Sequence, residues 1–476
     1  MKIPYSVINH LDHAIYLPAL QTQYTQGVVQ PKAFRPLPNG ATLKDLNFFE
    51  PNSKFFNINA ALYSAGLINN KKNPPKCMVT QRVRCKNQDT LIMGDSGGYQ
   101  IMSQNRLLSA SERLETYQWL VNTCDLAMTL DVPTAGMYKG TSIHYPTFDD
   151  CLLTTFRHLY AFNNYGAKNE YFLNVLQGHG LHHQDLWYDV VKRFDFYGWA
   201  FAGEDKTTMK LVLYRILALI EDGKFDKDET WLHFLGVGDL KTAVLLTTLR
   251  DVLRHKFPHC RIEVSYDTSS PFLAGGKNLT ALDKPKITSN RMTIPSVRVD
   301  KSTWAGSNAP FPCKGSEISK YLTKGDIIIK DWRGVKRPDN LGYLMLQNHN
   351  VEVQINSIDA IHQILKRGLT KSKLRPLVPT YLLEAQDAIA DVLLQPTPKQ
   401  GRSKLFDPQT LLVLDNAYAN GHPQVAKPTI YTVTSGNVIT INSSVKKATI
   451  QNTPAPTGKL SGPTKVSELF KRKGKK

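Results

Sequence analysis

The segment Gly94-Asp-Ser-Gly-Gly-Tyr-Gln100 combines a carboxylate, a glycine pair and an aromatic ring. Residues 91–93 before it are typical of a buried strand, and the two glycines predict a tight turn with exposed backbone N–H groups. Enzymes built from alternating strands and helices hold reacting groups at the carboxyl ends of their strands. Asp95 is therefore a candidate catalytic acid. The structural alternative is that its carboxylate only orders the glycine turn.

Four further apolar runs end on polar residues or glycine in the same manner. Their ends are Asp131, Gln177-Gly178, Gly236-Val-Gly238 and Asp267. Helical segments lie between the runs, for example 109–121, where Ser109 and Glu112 form a predicted capping box, and 208–220.

This alternation predicts parallel strands joined by crossover helices. Polar residues at successive strand ends favour a closed (β/α)₈ TIM barrel, followed by a C-terminal helical and basic extension. An open doubly wound sheet is the alternative fold, because alternation alone does not distinguish the two.

In order and spacing these segments resemble the tRNA-guanine transglycosylases. The resemblance covers about residues 78–271, and a weaker similarity at 342–350 extends it to about residue 365. The residues that carry it are Asp95–Gln100, Asp131, Val175-Leu-Gln177-Gly, Leu235-Gly-Val-Gly238 and Tyr266-Asp267. The resemblance implies a TIM-barrel enzyme that exchanges guanine for a 7-deazaguanine base without breaking the strand. No cofactor is implied.

Two departures separate this chain from the tRNA enzymes. Those enzymes carry a structural zinc site with closely spaced cysteines, whereas no two of the six cysteines here form a Cys-x-x-Cys pair. Asp267 is followed by Thr-Ser-Ser-Pro instead of basic residues. Both departures fall on tRNA-facing parts, which makes the pattern similar to the DpdA-type DNA transglycosylases of bacteriophages and bacterial DNA-modification clusters.

That similarity implies duplex DNA with a flipped guanosine as one substrate and a 7-deazaguanine base, preQ0 or a derivative, as the other. Its implied role is DNA modification that protects against restriction. Two alternatives stay open: a tRNA-guanine transglycosylase without the usual zinc site, and a non-catalytic nucleic-acid-binding partner subunit. The presence of both Asp95 and Asp267 argues against the second alternative.

The resemblance also implies a role for each site residue. Base exchange with retention needs two displacements, hence a nucleophile and a separate acid/base. Asp267 is expected to attack C1′, and Asp95 to protonate the leaving purine and deprotonate the incoming base. Asp131 is expected to accept from guanine N1–H and the 2-amino group, and Gln177 to donate to O6. The other expected substrate-binding residues are Ser96, Gly97, Gly98, Tyr99, Gly198, Trp199, Glu204, Leu235 and Gly236.

Within that set, Tyr99 and Leu235 are expected to sandwich the base. Backbone N–H groups near Gly198 and Trp199 are expected to assist Gln177, and Glu204 to lie near the 7-substituent. Plain structural roles are the alternatives. Asp131 and Asp267 would be caps before prolines, Gln177 a loop residue, Tyr99 a core residue and Glu204 a surface residue.

Three histidines, His179, His182 and His183, lie within five residues. No carboxylate or cysteine at ligand spacing completes a site around them, so no metal is expected.

Charge and composition complete the sequence-based prediction. The chain has 476 residues, 41% of them hydrophobic, and a formal net charge of +19, which indicates a polyanionic partner. We predict a transglycosylase-like barrel over 1–365, a mixed helix and hairpin extension over 366–451 and a basic, disordered tail over 452–476. The absence of a signal-peptide pattern or a long apolar run predicts a cytoplasmic protein without a membrane partner.

Overall fold

The computed structural model describes residues 1–30, 35–81, 90–203, 208–419, 431–434 and 437–440. Eight parallel strands form one sheet. They are β1 Ile15–Pro18, β2 Ala60–Ser64, β3 Leu91–Asp95, β4 Leu126–Met128, β5 Phe172–Leu176, β6 Gly198–Phe201, β7 Glu229–Phe234 and β8 Arg261–Thr268.

Helices connect and surround these strands. In chain order they are α1 Thr22–Gly27, α2 Met78–Gln81, α3 Gly98–Ser103, α4 Ala110–Thr123, α5 Ala135–Tyr138, α6 Phe148–Tyr165, α7 Gly180–Val191, α8 Met209–Glu221, α9 Leu240–Lys256, α10 Ser270–Gly276, α11 Lys301–Trp304, α12 Lys324–Ile327, α13 Asn340–Leu365, α14 Lys371–Leu374, α15 Thr380–Leu393, α16 Pro398–Leu405 and α17 Pro408–Tyr418.

The sheet closes on itself. Its strand order is β1-β8-β7-β6-β5-β4-β3-β2, and an isolated parallel bridge between Ala19 and Leu62 joins the two ends. The predicted TIM barrel is therefore confirmed, and the open doubly wound sheet is excluded. The carboxyl ends of the eight strands all lie at one opening of the barrel, which we call the mouth.

Side-chain alternation along the strands builds two layers. One set of buried side chains fills the barrel, and the alternate set packs between the strands and the outer helices. The inner set includes Leu17, Leu62, Met93, Met128, Val175, Ala200 and Trp231. A residue's parity within its strand therefore decides whether it faces the barrel interior or the helices.

Most predicted elements appear with small shifts at their ends. α4 begins after Ser109 with the predicted capping box, in which Ser109 and Glu112 bond reciprocally. α8 matches the predicted helix within one residue at each end. β8 is longer than predicted and runs to Thr268, so Asp267 lies inside the strand instead of after it. Strand geometry therefore fixes the direction of the Asp267 side chain.

Residues 277–337, which we call the insert, lie between α10 and α13. They contain three small antiparallel pairs. These are β9 Thr280–Leu282 with β12 Ser296–Arg298, β10 Lys286–Ile287 with β11 Met292–Thr293, and β13 Ile329–Lys330 with β14 Lys336–Arg337.

The C-terminal helices pack on the barrel's outer ring. Arg402 of α16 pairs with Glu221 at the end of α8, and Lys241 of α9 donates to the Tyr418 carbonyl of α17. A final hairpin joins β15 Tyr431–Thr434 to β16 Asn437–Thr440, as predicted. None of the described helices has both the length and the apolar character that a membrane crossing requires.

Candidate active site

Five of the predicted site residues lie at or just beyond strand carboxyl ends. Asp95 ends β3, Asp131 follows β4 by three residues, Gln177 follows β5 directly, Gly236 follows β7 by two residues, and Asp267 is the penultimate residue of β8. Because these strands are parallel, the barrel brings all five to the mouth.

Asp95 is held by groups from its own turn and the neighbouring strand. Ser64 lies opposite it in register, and the Ser64 side chain and the Gly97 N–H both bond to its carboxyl group. Burial raises the pKa of this carboxyl despite those two bonds, and the negative charge of Asp267 raises it further. A carboxyl group with a raised pKa is suited to donate and accept a proton near neutral pH.

The glycine pair is required by close contacts. Gly97 adopts a positive φ of 92°, and a Cβ there would lie 2.7 Å from the backbone of Gly66. A Cβ on Gly98 would lie 2.8 Å from Asp131 Oδ1. The turn therefore lets α3 begin directly against the Asp131 carboxylate. Ser96 supports this turn, since its buried hydroxyl donates to the Thr129 carbonyl at 3.0 Å.

Asp131 and Gln177 form a buried pair. The Gln177 Nε2 group donates to Asp131 Oδ2 at 2.8 Å. Burial raises the pKa of Asp131 to about 7, with the Gln177 bond opposing the rise and the charge of Asp95 adding to it. Gln177 Oε1 is buried without a hydrogen-bond partner among the described residues. The pair can therefore contact a ligand through the Asp131 carboxyl group, through the unpaired Gln177 Oε1 and through the second hydrogen on Gln177 Nε2.

Asp267 is positioned through a single oxygen. Its Oδ1 accepts from the Gly236 N–H at 2.8 Å and lies 3.2 Å from His233 Nε2. No donor in the described part of the chain reaches Oδ2. One oxygen is thus fixed by two partners, while the other is left free of a donor from the described residues.

His233 belongs to a chain of buried hydrogen bonds that the sequence did not predict. Trp231 Nε1 donates to Ser265 Oγ at 2.6 Å, and Ser265 Oγ lies 2.8 Å from His233 Nδ1. An indole N–H can only donate, so Ser265 Oγ accepts from it. A carboxylate can only accept, so the hydrogen between His233 Nε2 and Asp267 Oδ1 lies on the histidine.

The remaining predicted residues lie in different places. Leu235 is half-buried and packs on the inner side-chain set at the mouth. Tyr99 is the second residue of α3 and is 64% exposed, so it is not a core residue.

The expected position of Gly198 and Trp199 beside Gln177 is wrong. They are the first two residues of β6, at its amino end, whereas Gln177 lies at the carboxyl end of β5. The Trp199 ring points outward and packs against Tyr188 of α7. The residue of this segment that lies beside Gln177 is Gly203, where a Cβ would be 2.9 Å from Oε1. Glu204 lies outside the described residues.

The histidines after β5 pack with aromatic rings. His183 stacks on Phe148 with 4.1 Å between ring centroids, and Tyr138 bonds to His183 Nδ1. Within the described ranges, no group of three or more His, Cys, Asp or Glu could hold a metal ion. The described cysteines are all buried and free.

Comparison with known proteins adds no family. The chain matches no protein-family model, and no curated protein is significantly similar to it.

Proposed function

We propose that the mouth is the active site of a guanine transglycosylase that exchanges guanine in DNA for a 7-deazaguanine base. The observation that carries this proposal is the pairing of two differently held carboxyl groups at one mouth. Asp267 has one oxygen fixed by two N–H partners, and Asp95 has a raised pKa. Retaining exchange at an N-glycosidic bond needs such a pair, one nucleophile and one acid/base.

In the first displacement, Asp267 Oδ2 attacks C1′ and the C1′–N9 bond breaks. The electron pair leaves with guanine, which takes the proton of Asp95. In the second displacement, the Asp95 carboxylate removes the N9 proton of the incoming base. N9 then attacks C1′ and releases Asp267. The protein ends in its starting protonation state, and the strand stays covalently held throughout.

His233 is a positioning residue in this scheme. Its Nε2–H holds Asp267 Oδ1, so that Oδ2 is presented to C1′. On its other side, His233 Nδ1 is hydrogen-bonded to Ser265 Oγ, which also accepts from Trp231 Nε1 and so holds the ring in place.

Base recognition is assigned to Asp131 and Gln177. The ionised Asp131 carboxylate accepts from N1–H and the 2-amino group, and the second Gln177 amide hydrogen donates to O6. Both side chains are buried, so a base that lacks these groups would leave them unpaired at a cost in binding. Leu235 and Tyr99 then cover the two faces of the ring system.

DNA as the substrate is supported by the net charge of +19 and by the absence of a Cys-x-x-Cys zinc pair in the sequence. A guanine paired inside a duplex has to be flipped out before its C1′–N9 bond can reach the mouth.

Labelled guanine tests this function, because guanine-for-guanine exchange requires no knowledge of the natural incoming base. Purified protein is incubated with [8-¹⁴C]guanine and either duplex DNA or bulk tRNA, with Asp267→Asn as the control. We expect acid-precipitable label in DNA with the unmodified protein alone. Label in tRNA only would contradict the DNA assignment, and label in neither would contradict base exchange. A parallel incubation with radiolabelled preQ0 tests the incoming base.

A further inference from the structure

The hairpin formed by β13 and β14 is a rigid turn at the end of the insert. Asp331 Oδ1 accepts from the N–H groups of Arg333 and Val335, each at 2.9 Å. Gly334 closes the turn with a positive φ of 80° and donates to the Asp331 carbonyl at 2.8 Å. Partial burial acts to raise the pKa of Asp331, but these backbone bonds and the nearby arginines outweigh it and lower the pKa. The turn is therefore preformed.

This turn exposes a tryptophan. Trp332 is 90% exposed, whereas the other five tryptophans of the chain are at most 4% exposed. An indole is a large apolar surface that a fold normally covers. Among the described residues, the Arg333 guanidinium alone lies over the Trp332 ring, 5.3 Å from its centroid. An ordered turn that holds an uncovered indole in solvent indicates a binding surface.

The charge around Trp332 favours a polyanionic partner. Residues 330–337 contain four cations and one carboxylate, and the whole insert contains 13 Lys/Arg against five Asp/Glu. Asp331 pairs with Arg337 at 3.1 Å and with Arg333 at 3.8 Å. Lys330 and Lys336 form no ion pair within the described ranges. Protein interfaces are depleted of charge at their centre, whereas cations around an exposed ring are typical of nucleic-acid contacts.

The hairpin lies on the mouth side of the barrel. Three residues after β14, α13 begins, and its amino-terminal half packs on α10 and α1. Gln347 donates to the Phe272 carbonyl of α10, and Leu344 lies against Gly27 of α1. α10 and α1 follow the carboxyl ends of β8 and β1, so the hairpin leaves α13 toward the same end of the barrel as Asp267.

We propose that this hairpin binds duplex DNA beside the mouth, with Lys330, Arg333 and Lys336 on phosphates and Trp332 stacked on a base of the opened duplex. Stacking on an indole would stabilise a base that has lost its neighbour when a nucleotide is flipped out. The choice of DNA rests on the proposed function.

Binding at this surface can be followed through the fluorescence of Trp332, because the other tryptophans are buried. We would record acrylamide quenching of intrinsic fluorescence for the full chain, with and without a 20-base-pair duplex and with no base substrate present. The accessible fraction of the emission should disappear in Trp332→Ala and should be protected by the duplex. Protection that increases with protein concentration alone would show self-association and overturn the proposal.

Binding measured by fluorescence anisotropy of a labelled duplex supplies the second readout. Trp332→Ala should weaken binding about 5- to 150-fold without changing its salt dependence. Trp332→Phe should restore most of the affinity, and Tyr160→Ala, an exposed aromatic on α6, serves as the matched control. Duplex binding that leaves Trp332 fully quenchable, or protection by an RNA stem only, would overturn the proposal.

These results are separable from the base-exchange assay. Protection of Trp332 without exchange would contradict only the proposed function. Exchange into DNA with an unprotected Trp332 would contradict only the hairpin assignment.

Discussion

The barrel and the insert use charged residues in opposite ways. Residues 1–276 and 338–365 contain 28 Lys/Arg and 29 Asp/Glu, whereas the insert contains 13 and five. At the mouth, Asp131 and Asp267 are buried and hydrogen-bonded. In the insert, Lys330, Arg333 and Lys336 are exposed. Desolvated, fixed carboxyl groups suit bond-making chemistry, and solvated cations suit binding to a polyanion through counterion release.

This contrast implies that substitutions in the two regions should affect different measurements. Changes at the mouth should alter turnover or base affinity and leave DNA affinity intact. Changes in the insert should alter DNA affinity and its salt dependence and leave turnover at saturating DNA intact.

The largest effect is expected at Asp267. Asp267→Asn keeps an Oδ1 that can accept from Gly236 and His233, but its amide cannot attack C1′. Exchange of labelled guanine should fall by about four orders of magnitude or more, with the thermal midpoint and duplex affinity unchanged. Intact-mass analysis should show a protein–DNA adduct for the unmodified chain only. Substantial exchange by Asp267→Asn would remove this residue from the nucleophile role.

Asp95→Asn should slow exchange by about two to four orders of magnitude, because proton transfer to and from the purine is lost. The affinity for guanine, measured by calorimetry, should change little, since recognition is assigned to Asp131 and Gln177. A variant that fails to fold would instead support the role of Asp95 as an acceptor that orders the glycine turn.

Asp131→Asn should weaken guanine binding about 10- to 150-fold, because an amide replaces a charged acceptor of two N–H groups. The raised pKa of about 7 also predicts a pH dependence of stability. The folded chain retains a proton that the unfolded chain releases near pH 4, so the free energy of unfolding should fall as pH rises from about 4 to 7. Urea unfolding at several pH values should show a smaller decline for Asp131→Asn. An equal decline in both proteins would place this titration elsewhere.

His233→Leu should lower kcat about 10- to 100-fold with little change in KM, because the nucleophile loses its orienting N–H. His233→Gln, whose Nε2 can donate to Asp267, should recover part of the rate. If only the histidine's bulk mattered, leucine and glutamine would behave alike. The pH profile of kcat would then also be the same in both variants.

The smallest effects are expected outside the barrel. Arg333→Gln should reduce the slope of log affinity against log salt by about 1, as expected for the loss of one phosphate contact. Deleting residues 452–476, which lie outside the described ranges, removes seven Lys/Arg and one Glu and should flatten the slope further. Turnover at saturating DNA should not change in either case. A large loss of turnover in either variant would contradict the assignment of catalysis to the barrel and of DNA binding to the regions outside it.

Local sequence patterns were sufficient to predict many of the strands and helices. The apolar runs before Asp95 and Asp267 marked β3 and β8, and the spacing of Ser109 and Glu112 marked the start of α4. These signals succeed because strand alternation, turn glycines and helix caps depend on neighbours only a few residues away.

The resemblance and the local patterns both missed parts of the site. The resemblance implied that Gly198 and Trp199 lie beside Gln177, but they begin β6, at the opposite end of the barrel from Gln177. His233 lies in an apolar run and gave no sign of a partner 34 residues away in Asp267. The alternation of side chains along β7 and β8 could have revealed this contact. Trp231 and His233 lie two residues apart and so share the inward face of β7, and Ser265 and Asp267 share the inward face of β8 in the same way.

The sequence by itself determined that carboxylates, amides and glycines would stand at the ends of parallel strands, and that cations would concentrate outside the barrel. Only the tertiary structure decided which of these groups touch. The register of β7 against β8 places His233 beside Asp267, and barrel closure brings β3 and β8 to the same mouth. Register is set by the packing of whole side-chain layers against each other, which no local stretch of sequence contains.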